Sequence, residues 1–210
     1  MKARIAAVLL LIQPLYIVCE LIVAATVAAP YSLRDNMISD LGAVSCTQIA
    51  YPAGPVEVCS PWNPLLNGAF IAFGVALAVG ALLLPRAWRP GGLGAAAVCC
   101  WVISGLSSIG TGLVPLDVDL ELHSLVSLPV FLGQPVALLL HGLALRGRPL
   151  ATWAFVTAAL SLVGTIGLFA VTLMATWGGF FERLSLWPAY LWLGVLGALL
   201  LRHREEPARH

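Results

Sequence analysis

The sequence predicts an all-α polytopic transmembrane helix bundle of six spans with both termini cytoplasmic. Three observations predict it. Of 210 residues, 60% are hydrophobic and only 10% charged, against roughly one half and one quarter in soluble domains, so polar surface is too scarce to coat a water-soluble globule. The apolar residues collect in six runs, each near the roughly 20 residues that cross about 30 Å of hydrocarbon. The basic residues fall almost wholly on one side of those runs.

The spans are read as Ile5–Ala29, Pro64–Leu84, Leu93–Val114, Ser124–Leu145, Ala151–Ala175 and Leu186–Leu201, within a single integral membrane domain covering 1–210. Breakers separate them: Pro30, Pro61, Pro85-Arg86, Pro90-Gly91-Gly92, Pro115, Arg146-Gly147-Arg148-Pro149 and Gly178-Gly179. Proline, glycine and charge are expected where backbone leaves hydrocarbon for water. Nine basic residues (Lys2, Arg4, Arg86, Arg89, Arg146, Arg148, Arg202, Arg204 and Arg209) lie on one side and two, Arg34 and Arg183, on the other. The richer side is the cytoplasmic one. The first run resembles a signal peptide in Lys2, Arg4 and Val27-Ala28-Ala29. It is too long for an h-region and is interrupted by Gln13, Pro14 and Glu20, so a retained span is expected.

Within the spans, Ser104, Ser108 and Gly112 recur every four residues, and Gly164 and Gly167 sit in span five. Small residues at such spacing let helices approach closely in lipid. Gln13-Pro14 and Gln134-Pro135 are candidate kinks. Trp62, Trp88, Trp153, Trp177 and Trp187 fall near span ends, as an aromatic belt does, and His141 reads as a snorkelling interface histidine.

The extracytoplasmic loop 30–63 is far longer than the connections of about 2–8 residues usual between helices. Its segment Arg34–Gly42 reads as one short helix ended by glycine, with Asn36 and Asp40 sharing a face. Cys46 and Cys59 share the loop on the oxidising side, so a disulfide between them is favoured over two free thiols. Glu20 is the one acidic residue deep in a span and must face the bundle interior, as a proton-holding acid or as a polar clamp. Asn67 stands a turn inside span two. Asp117, Asp119 and Glu121 precede His123 at the mouth of span four, where Asp119 and His123 are spaced to pair. Glu182 and Arg183 precede span six.

Glu20, Asn36, Asp40, Asn67, Asp117, Asp119, His123, Glu182 and Arg183 are therefore expected near the outer half of the bundle. The set reads either as an acid/base or anion-holding cluster or as a rim of ion pairs tying loops together. No spacing of histidines suits a metal, and no cofactor motif, glycine-rich phosphate loop or G-x-S-x-G elbow occurs. A net charge of +1 argues against a nucleic-acid partner.

Ile38-Ser39-Asp40-Leu41-Gly42, Cys59-Ser60-Pro61 with Asn67, Gly112-Leu113-Val114-Pro115 with His123, and Glu182-Arg183 occur in this order along nearly the whole chain. In them the chain resembles the bacterial membrane-protein family catalogued as Domain of Unknown Function 998. The resemblance implies a multi-span protein of the cell membrane with these outward-facing polar residues, and no activity. Family-like sequences often carry a histidine near Trp62-Asn63; its absence here weakens a two-histidine site.

Three functions compete. The first is binding of a lipid or other amphiphile at the outer cluster, with the lipid bilayer as the standing partner. The second is a membrane enzyme doing acid/base chemistry on a lipid or isoprenoid through Asp40, His123 and Glu182, with Arg183 holding an anionic head group. The third is a proton-coupled transporter using Glu20, for which no inverted repeat of broken helices is evident.

Overall fold

Large apolar side chains cover the outside of the computed structural model, unlike that of a water-soluble bundle, and several polar ones are buried within its largely apolar middle. Residues 1–171, 173, 174 and 176–202 are described. Leu113, Leu125 and Ile166 are 60–66% exposed, whereas Gln13, Glu20, Ser104, Gln134 and His141 are at 0%. Among the described residues, six helices are long and apolar enough to cross a membrane, the build of a multi-pass membrane protein.

The first of these joins two helices end to end, α1 (Lys2–Leu11) and α2 (Leu15–Ala24). The others are α3 (Asn63–Leu82), α4 (Gly91–Leu113), α5 (Leu120–Ala144), α6 (Pro149–Ala170) and α7 (Gly178–Arg202). Each packs on the next from α3 to α7, α7 closes the ring against α1, α1 and α2 pack on α3, and α5 also meets α7 across the middle. Six passes along the bundle bring Lys2 and Arg202 to one end of it, called here the terminal end. The segment 25–62 lies at the opposite, loop end.

Several boundaries differ from the sequence expectation. The first span stops at Ala24, not Ala29. Span four starts earlier than Ser124 because the Asp119 side chain accepts from Leu122 N at 2.9 Å and caps a helix beginning at Leu120. Span six starts at Gly178 rather than Leu186, so Glu182 and Arg183 stand on the helix and not on a loop. The expected end of span five, Ala175, and the tail beyond Arg202 lie outside the described residues.

The two Gln-Pro pairs behave differently. At Gln13-Pro14 the helix is interrupted and the chain runs through tighter bonds such as Leu15 N to Ile12 O at 2.9 Å. Gln13 Nε2 donates to Leu9 O and Phe73 O, both at 3.2 Å, binding the break to α3. At Gln134-Pro135, α5 continues. Pro135 cannot donate to Phe131 O, and Thr165 Oγ1 on α6 takes that carbonyl at 2.9 Å. Ser107 Oγ similarly enters the α5 ladder beside Pro129, donating to Val126 O at 2.6 Å and accepting from Val130 N at 3.0 Å.

The small-residue reading is supported where helices touch. Gly112 has no room for a side chain, since a Cβ would lie 2.5 Å from Asn67 O of α3. Ser108 Oγ donates to Phe70 O at 2.8 Å across the same interface.

Two features correct the all-α expectation for the long loop. Thr47–Tyr51 (β1) and Gly54–Val58 (β2) form an antiparallel hairpin in which Tyr51 pairs with Gly54 across a two-residue turn. Ile49 and Val58 turn inward onto Ala43 and Leu116, a small core separate from that of the bundle. The expected disulfide joins Cys46 to Cys59 immediately outside the two strands. The expected helix over Arg34–Gly42 is only one 3₁₀ turn, Ser39–Gly42. Backbone donors that a longer helix would use are taken by carboxylates: Met37 N by Asp40 and Ile38 N by Glu182.

Candidate functional site

Segment 31–42 crosses the loop end of the bundle, and most of the polar residues singled out above converge on its backbone. Arg183, buried on α7, donates from Nη1 to the carbonyls of Leu33 (2.7 Å), Asn36 (3.0 Å) and Gly179 (2.9 Å). Its Nη2 donates to Tyr31 Oη at 2.6 Å, and its Nε to Glu20 Oε1 at 2.8 Å. Glu20 Oε2 accepts from Trp187 Nε1 at 2.9 Å, so both its oxygens are engaged. Tyr31 Oη in turn donates to Met37 O at 3.0 Å. Glycine at 179 is required by this approach, because a Cβ there would collide with Asn36 O. Phe180 N donates to Arg34 O at 2.8 Å, giving the start of α7 a backbone acceptor.

The rest of the segment is held in the same manner. Glu182 Oε2 accepts from Ile38 N at 2.5 Å. Asn67 Nδ2 on α3 donates to Gly42 O at 2.8 Å. Asp40 Oδ2 accepts from Met37 N at 2.8 Å and Oδ1 from Tyr51 Oη at 2.6 Å, joining the turn to the hairpin. Burial pushes the Asp40 carboxyl above the usual carboxylate range, against the opposing pull of the Tyr51, Met37 and Asn36 hydrogen bonds. Burial also raises the Tyr31 and Tyr51 hydroxyls, which stay protonated donors. Asn36 Oδ1 accepts from Ser32 N at 2.8 Å. Half-buried Asp35 differs: its hydrogen bonds with Arg34, then with Trp177 N, hold it down at about 2.

His123 lies in the first turn of α5. Its Nδ1 is 2.6 Å from Val114 O and its Nε2 3.0 Å from Ser39 Oγ. A carbonyl only accepts, so Nδ1 carries the hydrogen, and in the neutral ring Nε2 accepts from the Ser39 hydroxyl. The expected Asp119–His123 side-chain pair is therefore absent: Asp119 caps α5 and the ring turns inward. Asp117 also lies outside the cluster, accepting from Val44 N (3.0 Å), Ser45 N (2.9 Å) and Ser45 Oγ (2.7 Å) beside the disulfide. His141 is not an interface residue. It is fully buried, accepts from Trp101 Nε1 at 2.9 Å and packs on Trp192.

Beneath the 3₁₀ turn lies a narrow pocket among α3, α4, α5 and α7, with Ser39 and Glu182 at its top, Ser127 and Phe131 on α5, and Tyr190 at its foot. It has about 10 Å³ of space open to a water, room for roughly one molecule. No hydrogen bond reaches Glu182 Oε1 among the described residues. Deeper, Gln134 lies beside the Tyr190 hydroxyl, and its side-chain amide has no partner at 0% exposure. The Tyr16 ring packs on that of Tyr190, centroids 4.9 Å apart, and its Oη is likewise unpartnered. Buried polar groups in this state call for water or a ligand.

Sequence reasoning missed Ser39, Tyr31, Tyr51, Trp187 and this deeper group. Trp187 was signalled by its position one helical turn beyond Arg183, and Ser39 by standing beside Asp40. The tyrosines bear on the site only through the fold of the loop.

A family model described as "Protein of unknown function (DUF998)" matches residues 10–199. No curated protein and no solved structure matches.

Proposed function

The chain belongs to that family of proteins of unknown function, and from its geometry we propose that it is a multi-pass protein of the cell membrane, termini cytoplasmic, that binds a lipid or other small amphiphile beneath segment 31–42, in the pocket that holds about one water while capped and widens when the segment lifts. One observation carries this reading. The pocket sets the Ser39 hydroxyl and Glu182, whose Oε1 has no hydrogen bond among the described residues, against the apolar walls Phe70, Val130 and Leu186. A few convergent polar groups in an apolar concavity is how small-ligand sites are built. The outer cluster, Glu182 and His123 apart, then keeps the pocket closed rather than meeting ligand. Arg183 already serves five acceptors, which counts against its holding a head group. Glu20 is committed to Arg183 and Trp187, which counts against its carrying protons.

The test is native mass spectrometry of the protein purified in mild detergent, beside Ser127→Leu. Ser127 donates only to Ser124 O of its own helix, at 3.2 Å, so leucine fills the pocket with little other change. The wild type should retain one amphiphile that the folded variant lacks. Equal retention by both, or retention by neither, overturns the reading.

A further inference from the structure

Ser39 is the one pocket-lining hydroxyl with a base at hand. Ser108 donates to Phe70 O, Thr111 to Ser107 O and Ser127 to Ser124 O, all backbone carbonyls. Ser39 Oγ alone faces a ring nitrogen, His123 Nε2, at 3.0 Å, and that ring is oriented through Nδ1 by Val114 O at 2.6 Å. A nucleophile within hydrogen-bond reach of a base, itself oriented by a third group, is the arrangement that activates a serine. The turn bearing Ser39 is held at both ends, by Glu182 on Ile38 N and by Asn67 on Gly42 O. Asp40 adds its bonds to Met37 N and Tyr51 Oη. Ser39 also opens onto the pocket.

We propose that Ser39 is a nucleophile and His123 its general base, acting on an ester-bearing amphiphile admitted to the pocket when segment 31–42 lifts. The proposal rests on the binding reading above. Ser39 Oγ bonds to the ester carbonyl carbon as its proton passes to His123 Nε2. The acyl C–O bond breaks, and His123 returns the proton to the departing alkoxide, releasing an alcohol. Water, deprotonated by His123, then attacks the acyl carbon; Ser39 leaves with the proton and a carboxylic acid is released. The sum is ester plus water to acid plus alcohol. Asp40, Glu182 and Asn67 are positioning residues, acting through the turn they hold.

The test uses the full chain in lipid nanodiscs, treated with diisopropyl fluorophosphate and mapped by peptide mass spectrometry, with p-nitrophenyl butyrate hydrolysis followed in parallel. The expected result is an adduct on Ser39 in the wild type and none in Ser39→Ala. In His123→Ala labelling should slow at least about 100-fold, the lower end of what a general base contributes, and hydrolysis should fall in step. Because His123→Ala also frees α5 from the cap, His123→Gln serves as a second variant that retains polar contact but no basic nitrogen, with the same slowing expected. An adduct elsewhere, none on Ser39 in either the wild type or the cap-loosened Asn67→Ala, or wild-type rates in both His123 variants overturns the proposal. A retained amphiphile with Ser39 unlabelled removes the chemistry and leaves binding standing. Ser39 labelling without a retained amphiphile removes the binding reading and leaves the nucleophile.

Discussion

Arg183 and Glu20 show how charge survives inside an apolar bundle. The pair lies 2.8 Å apart with side chains 6% and 0% exposed, so removing one partner strands the other where solvation is poor. Arg183→Met is expected to cost about 3–5 kcal/mol, measured by reversible unfolding in detergent. Adding Glu20→Gln should recover part of that loss, since the stranded charge is then gone. Asp40 makes a different prediction. Its folded carboxyl titrates above the unfolded one, so between the ordinary value of about 3.9 and the raised folded value the folded state binds more proton. Stability should fall as pH rises through that window and then level off. Asp40→Asn should remove this component from the difference between the two stability–pH curves. In the sequence, Glu20, Asp40, Glu182 and Arg183 stand out because charge is rare. Their targets do not, because several are backbone groups of 31–42, and which carbonyl lies within reach of a guanidinium is decided by packing.

At the scale of elements, the long helices were legible from apolar run length, since in lipid a spanning backbone must satisfy itself. Their ends were less so. Gly178-Gly179 reads as a breaker, yet both glycines lie inside α7, where Gly179 allows Asn36 O to come close. Alternation over Thr47–Val58 is short and broken by Pro52 and Pro55, which hid a hairpin whose inward residues are Ile49 and Val58. The Cys46–Cys59 link closes a separation of 13 residues around that hairpin. Replacing both cysteines by serine should remove about 3 kcal/mol of chain-entropy stabilisation from the hairpin. Because the hairpin core is separate from that of the bundle, amide exchange should quicken over 44–60 and stay unchanged in α3 to α7.

For the whole molecule, the charge asymmetry remains the guide to orientation. Lys2, Arg4, Arg86, Arg89, Arg146, Arg148 and Arg202 all sit at the terminal end, and Glu20, Asp40 and Glu182 sit toward the loop end. On a background lacking other reactive thiols, Glu57→Cys should react with an impermeant maleimide in intact cells, and Arg146→Cys only after permeabilisation. The reverse pattern would invert the protein in its membrane.

The central claim is that the polar cluster is a clamp closing segment 31–42 over an interior pocket. Amide exchange in nanodiscs, comparing the wild type with Glu182→Ala and Arg183→Met, tests it most directly. Ile38 N is bonded to Glu182, and Leu33 O and Asn36 O to Arg183. The clamp therefore predicts that either substitution releases the whole of 31–42 together, by roughly tenfold or more for about 1.4 kcal/mol lost, while α4 and α5 keep their protection. Release of the Ile38 amide alone in Glu182→Ala, with the rest of 31–42 unchanged in both variants, would contradict it.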